Sequence, residues 1–533
     1  MPPIEQDRLD KIEIAEPSLV RPAVSLSAWK TRLGSLGSSQ SLMWAGLTCL
    51  FALLPLLYMR QADIGDADIW WHLRAGEWMV QHHQILRSDP FSASTMGRTW
   101  VDYSWLFDVV ANWVVARFDL ASIMWFDTLM RLAITAAVFT LVRRLMPHFW
   151  RALGITALAT YAMTQAFAPR PGTFSVLFFV LELYLLILAQ RRGQWKVLWA
   201  LPFLFVLWAN IHIEFISGLF MVSVFAIEPA LETILQIPRE QRSSNAVPNR
   251  QLWLVLAALL VGTLANPYGI GLYRTVFQCA HDIAVYDLVT ELRAMEFRSL
   301  NHWVVLLLLM LGCFALGRLR RARPVWVLLL GWSAWMGFRS VREAWLVAVI
   351  SIVVIASEQA GEAAAEVRQS ARISGAMRIA VATTVLALLV AGAGYWQMTS
   401  QTLLRRVSET YPLGAVGYIH GHHLQGPLLN EFSWGGFLIY AVPDMPVAMD
   451  GRTNVHSQDE ILRAMSLWKG EPGWQSQPAL RSANLVIASH WWPLTGLLRR
   501  DPRFHVVYED LVSVLFEAVH PEEGSNNPKS RMP

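Results

Sequence analysis

Charge is scarce in this chain. Of 533 residues 16% are Asp, Glu, Lys or Arg and 54% are hydrophobic, with a mean hydropathy of +0.36. A soluble domain carries about a quarter charged residues, so the composition excludes an ordinary soluble protein and indicates a polytopic membrane protein. Cysteine is scarcer still. Cys49 and Cys313 fall inside apolar runs and Cys279 in a loop, with neither metal-ligand spacing nor a disulfide framework. Residues 1–41 are polar and lack the apolar centre of a cleavable signal, so Leu42–Tyr58 reads as a retained first span. There is no internal repeat of fixed period. Nor are there two matching halves with interrupted apolar segments, the usual mark of a transporter. The net charge of +4 and the pI near 9.0 would suit nucleic acid, but Lys and Arg sit in short clusters between apolar runs. That is how membrane topology is encoded, and nucleic acid is set aside as a partner.

What is present is mostly span. Arg8, Lys11, Arg21, Lys30 and Arg32 put the N-terminal tail, 1–41, on the cytoplasmic side, which places a large first loop, 60–119, outside. Trp105–Ala116 is apolar but short. Laid flat in the interface, it leaves Arg143, Arg144 and Arg151 inside and keeps every later basic cluster in alternation. The spans are then 42–58, 121–142, 152–168, 172–190, 197–211, 215–235, 251–265, 302–317, 324–338, 341–357 and 378–397, about 11 transmembrane helices within a domain of residues 42–397. The N-terminus lies in the cytoplasm and the C-terminus outside, in an inner-membrane, multi-pass protein.

After Gln397 the composition changes to that of a soluble, extracytoplasmic α/β domain, 398–520. Helices are predicted at Leu413–His422 and Gln458–Trp468. Strands are predicted at Pro427–Glu431, Phe437–Val442, Pro446–Met449, Leu485–Ser489, Phe504–Tyr508 and Ser513–Glu517, in a mostly parallel sheet. Residues 521–533 are rich in Pro, Ser, Asn and charge and read as a disordered tail.

The first loop concentrates the chemistry. Asp63, Asp66 and Asp68 are close enough in sequence to share one pocket, where repulsion would raise at least one pKa and suit a general base or a divalent-cation site; a solvated loop cap is the plain alternative. Trp70 and Trp71 suit an interfacial belt or a sugar-stacking platform, and His72 can hydrogen-bond a carboxylate or serve structure alone. Arg170, Arg339 and Arg342 fall at external helix ends, against the topology rule, where a guanidinium fork can bind phosphate in pairs or simply snorkel. Arg131 lies within a span one turn after Asp127, as a structural pair or a functional one. Asp450 and Arg452 flank Gly451 at a strand end, where binding groups often sit; Asn430 and Trp434, with Gly435 and Gly436, form a similar turn.

The run DADIWWHLRAGEWM, the SDPFS about a dozen residues on and the short aromatic helix after it resemble the first external loop of the GT-C superfamily of membrane glycosyltransferases. The likeness is to the branch related to protein mannosyltransferases and to bacterial transferases using polyprenyl-phosphate sugars. RPGTF (170–174), WANIHIEF (208–215), NPYG (266–269), NEFSWGGFLIY (430–440) and DGR (450–452) resemble a bacterial subgroup of this type. The resemblance implies an inverting transfer, metal-independent or assisted by a divalent cation, from a polyprenyl-phosphate sugar to an extracytoplasmic lipid, glycan or protein. A first-loop carboxylate would be the base, Asp68 first and Asp66 second. Taken with the residues' own chemistry, the substrate-binding set is Asp63, Trp71, His72, Arg170, His212, Glu214, Arg339, Arg342, Asp450 and Arg452. Relatives often carry Gly after the histidine that corresponds to His212; here Ile213 and Glu214 follow, and Glu214 adds an acid or metal ligand. The rival readings are a flippase of a lipid-linked substrate and a non-catalytic protein that assembles envelope glycan.

Overall fold

The computed structural model describes residues 39–519 apart from 62–63, 65, 242–246, 282–288, 320–321 and 363–372. Asp63 and the expected tails, residues 1–38 and 521–533, lie outside the described residues. Among the described residues fourteen helices form the first part: α1 Ser39–Gln61, α2 Asp68–His82, α3 Trp105–Phe118, α4 Ser122–Leu145, α5 Phe149–Ala162, α6 Gly172–Arg192, α7 Leu201–Ile211, α8 Phe215–Ile234, α9 Asn249–Gly262, α10 Gly271–His281, α11 Leu300–Arg318, α12 Pro324–Arg339, α13 Ala344–Glu362 and α14 Gly375–Tyr395. Among the described residues six of them, α1, α4, α6, α8, α11 and α14, are long and apolar enough to cross a membrane. The count of eleven predicted from sequence is therefore not matched at crossing length. The run 197–211 shows why: Pro202 restarts the helix, so a 3-10 segment, Trp195–Ala200, feeds an α7 of 11 residues. Cys279, expected in a loop, lies on α10.

At the centre stands α13, which packs against α4, α5, α11 and α12. Its residues Trp345–Val354 are buried on every face, as expected of a helix that is apolar all round. The first loop is held differently. Helix α2 packs on α3 and on a second helix, Gly435–Ala441, from the C-terminal domain. Gly76 makes the first contact possible, since a Cβ there would stand 2.0 Å from the Asp108 carbonyl oxygen.

The C-terminal domain carries four strands, β1 Leu428–Asn430, β2 Leu485–Ser489, β3 Phe504–Glu509 and β4 Ser513–Ala518, in the order β1-β2-β4-β3. Only β1 and β2 are parallel. The expected mostly parallel sheet is corrected to a mixed one, because the short connection Asp510–Val512 can return the chain only as an antiparallel hairpin. Two predicted strands are also corrected. Phe437–Val442 lies largely within the helix Gly435–Ala441, where Phe437, Leu438 and Ile439 are all buried; a six-residue apolar run does not distinguish a strand from a buried helix. Pro446–Met449 contributes only isolated bridges, in which Val447 meets Ser92 of the first loop and Leu428 of β1.

Candidate active site

Helix α2 starts at Asp68, and the backbone N–H of Asp68 donates to Asp66 Oδ1 at 2.9 Å. Two carboxylates thus stand at a helix N-terminus, where the aligned peptide dipoles favour negative charge. The Trp71 indole, one turn later, donates to Asp68 Oδ1 at 3.1 Å and fixes the carboxylate. From the C-terminal domain Gly451 closes on the same oxygen: a Cβ there would lie 2.5 Å from Asp68 Oδ1. Gly436 approaches in the same way, its Cβ position 2.6 Å from the Ala67 carbonyl oxygen. The glycines of NEFSWGG and DGR let the C-terminal domain seat itself against the acidic turn.

Asp66 and Asp68 line a cavity of about 820 Å3 together with Arg131, Arg170 and Glu291; Leu54, Leu57 and Tyr58 of α1 form an apolar wall. Arg170, immediately before the Pro171–Gly172 start of α6, grips Glu291 with both guanidinium arms at 2.5 and 2.6 Å. Its Nε stands 3.4 Å from Asp66 Oδ2. Burial, Asp66 and Glu291 push the Asp68 carboxyl up to about 7. Burial pulls Glu291 the same way, but Arg170 and Arg342 outweigh it and hold that carboxyl down at about 2. Two carboxylates that line one cavity are thereby given opposite protonation behaviour, the condition for separating a base from a counter-ion. Arg131 is held by Asp127 at 2.6 Å, donates to the Phe167 carbonyl at 3.0 Å and lies over the Tyr58 ring, 4.1 Å from its centroid.

Beside the cavity lies a second cluster. His212, at the end of α7, meets Ser175 Oγ through Nδ1 at 2.9 Å and Arg342 through Nε2 at 3.4 Å, with Glu214 at 3.6 Å. Arg342 stands 3.7 Å from Glu291. Burial and the neighbouring Glu214 push Glu343 up to about 8.

The remaining expected site residues divide. His72 is buried against the Trp71 ring and bonded to Asp108 at 2.6 Å, and it does not line the cavity. Arg339 lies over the Trp335 ring, 5.6 Å from its centroid, also away from the cavity. Asp450 and Arg452 form a buried clamp. Arg452 bonds Asp450 and Asp89 at 2.8 Å and sits between the rings of Phe91 and Trp100; Ser92 and His456 complete the shell around Asp450. Burial would raise the Asp450 carboxyl, but Arg452 and His456 hold it well below the usual range. The clamp joins the first loop to the C-terminal domain and brings Gly451 to Asp68. Glu291 is the residue sequence reasoning missed. It sits among Arg293, Glu296 and Arg298, a stretch of mixed charge that reads as a solvated loop.

Among the described residues no group of three His, Cys, Asp or Glu side chains is placed to hold a metal. Arg170 stands between Asp66 and Glu291 and supplies the positive charge there.

No family sequence pattern and no curated protein matches the chain. Solved structures do. The archaeal oligosaccharyltransferase AglB from Archaeoglobus fulgidus, in complex with an inhibitory peptide and a dolichol-phosphate, aligns over 87% of this chain and 70% of its own, with a TM-score of 0.53 and 11% identity. The same organism's oligosaccharyltransferase tethered to an acceptor peptide aligns over 85% and 70%, with a TM-score of 0.50 and 10% identity. The chain shares the fold of these two structures. ArnT from Cupriavidus metallidurans, bound to undecaprenyl phosphate, aligns over 93% and 99% at 14% identity, but its TM-score of 0.40 is too low to carry an argument. With six helices of crossing length and composition among its described residues, the chain is a multi-pass membrane protein.

Proposed function

We propose that the protein is a membrane glycosyltransferase that moves a sugar from a polyprenyl-phosphate donor to an acceptor on the outer side of the cytoplasmic membrane, with Asp68 as general base. The observation that carries this reading is the make-up of one cavity. A half-buried carboxyl with a pKa near 7, a guanidinium fork and an apolar wall of helix α1 face the same space. The likeness to AglB, which was solved with a dolichol-phosphate, supports a lipid phosphate as the donor's carrier.

In this reaction the acceptor oxygen attacks the anomeric carbon, its bond forms as the bond to the phosphate oxygen breaks, and the acceptor proton passes to Asp68. The departing lipid phosphate meets Arg170, whose planar fork suits two phosphate oxygens at once. Glu291 holds that fork in the free protein and yields it to the phosphate; Arg131 lines the same cavity and adds positive charge. Trp71 and Gly451 keep Asp68 in place, and burial with Asp66 keeps its pKa high. Arg342, with Glu343 and His212, stands behind Glu291 and steadies it. The first loop and the C-terminal domain face outward in this reading, and residues 1–41 face the cytoplasm.

Membranes carrying the protein, supplied with a panel of radiolabelled polyprenyl-phosphate sugars, test the proposal. Transfer of label from one of them to an acceptor, lost in Arg170→Met, is the expected result. Transport of the intact lipid-linked sugar across vesicles without transfer would replace the enzyme by a flippase.

A further inference from the structure

A second large space lies on the other face of α4, away from the catalytic cavity. Helices α4 and α14 both pack on α1 and leave a groove of about 850 Å3 between them. Its walls are Leu132, Ala136 and Phe139 of α4 and Val385, Leu386 and Leu389 of α14. It extends from Trp125 to Arg144, 19 residues of helix and so about 28 Å, room for a full-length acyl chain. Its two ends differ. Trp125 closes the end nearer the catalytic cavity, whereas Arg143, Arg144 and Arg378 gather at the other, and among the described residues no acidic one lines it.

The three arginines are not equivalent. Arg143 is half-buried and donates to the Met146 and Pro147 carbonyls, which anchors it to the turn after α4. Arg144 and Arg378 are exposed; Arg378 makes one long bond to the Ile373 carbonyl at 3.4 Å, and among the described residues neither has a carboxylate partner. A bulk neutral lipid would fill the apolar groove equally well but would leave this charge unmatched. An apolar trough of acyl length with positive charge confined to one mouth is complementary to one class of ligand, a lipid with apolar chains and an anionic head.

The geometry points to a binding site for an anionic glycerophospholipid, its acyl chains along the groove between α4 and α14 and its phosphate beside Arg144 and Arg378. Its basic mouth is at the opposite end of the bundle from Asp68, and the site stands whether or not the catalytic reading does. In the proposed topology the head belongs to the cytoplasmic leaflet, where anionic lipids attract basic groups by about 1 kcal/mol each, or fivefold per arginine.

Purified full-length protein, delipidated in detergent, is offered phosphatidylglycerol or phosphatidylcholine of identical chains, and retention is read by native mass spectrometry alongside the thermal midpoint. Phosphatidylglycerol is expected to be retained and to raise the midpoint, phosphatidylcholine far less. Replacing both exposed arginines, Arg144→Gln with Arg378→Gln, is expected to weaken phosphatidylglycerol retention about 30-fold. Ala136→Trp, which fills the groove from an exposed position, should remove retention of both lipids. Equal retention of the two lipids by the wild-type protein would overturn the inference, as would unchanged retention in the double variant. So would displacement of phosphatidylglycerol by an equimolar polyprenyl phosphate.

Discussion

At the scale of single residues, Asp68 couples chemistry to stability. A carboxyl with a pKa near 7 in the folded protein and 3.8 when unfolded holds its proton longer in the fold. Between about pH 4 and pH 7 the folded state therefore binds more protons than the unfolded one, and stability falls as pH rises through that window. The thermal midpoint of the wild type should decline relative to that of Asp68→Asn over this range; parallel curves would mean that Asp68 titrates normally. Gly451→Ala tests positioning. Its new methyl would displace the Asp68 carboxylate, and a misplacement of about 1 Å costs up to ~10²-fold in turnover, with donor KM little changed. A normal kcat in this variant would show that the close approach does not matter. The place of Asp68 in an acidic turn beside Trp71 was legible in the sequence because it rests on local spacing; its role as base is what the resemblance implies. The place of Gly451 was not, because the contact that explains it joins residues 383 positions apart, and a glycine in a turn looks the same whether it closes on a carboxylate or on water.

At the scale of elements, the Arg452 clamp holds the first loop against the C-terminal domain. Removing its charge in Arg452→Met leaves Asp89 and Asp450 buried without their cation, a change that typically costs about 3–5 kcal/mol. A large fall in thermal midpoint, with new protease cleavage in the first loop, is expected; an unchanged midpoint would show that the two units hold together without it. Arg339, the last residue of α12, and Arg342, in the turn after it, separate in the same way. Arg342→Lys should weaken donor use, because a lysine cannot keep both Glu291 and His212, whereas Arg339→Lys should leave kinetics unaltered, its fork resting on the Trp335 ring. Equal loss in both would argue for a shared phosphate site. The sequence set these two arginines together by charge and topology; their different neighbours depend on which way each side chain leaves the chain at the helix end. Helices Leu413–Gly421 and Gln458–Trp468 were readable from periodicity, while the helix at Gly435–Ala441 was not, since its two glycines and β-prone residues favour a strand until the surface of α2 is there to receive them.

At the scale of the whole molecule, the fold places one polar cavity at the C-terminal end of α1 and the basic mouths of α4 and α14 at the opposite end. Single cysteines at exposed positions should report this polarity: Gln475→Cys in the C-terminal domain should react with an impermeant reagent in intact spheroplasts, and Gln194→Cys, beside Arg191, Arg192 and Lys196, should not. The reverse pattern would invert the topology. The bundle as a class was plain from hydropathy. The span count was not, because α7 and α9, at 11 and 14 residues, are apolar enough to read as spans while being too short to cross unaided. The central claim, that Asp68 is the base of a glycosyl transfer, is tested most directly by single-turnover transfer from the donor found active in the panel, comparing wild type with Asp68→Asn from about pH 5 to pH 8. The expected result is a wild-type rate that climbs with pH through about 7 and an Asn variant slower by ~10² to 10⁴ with a flat profile and unchanged donor binding. An Asn variant that transfers at the wild-type rate, with the same pH profile, would contradict it.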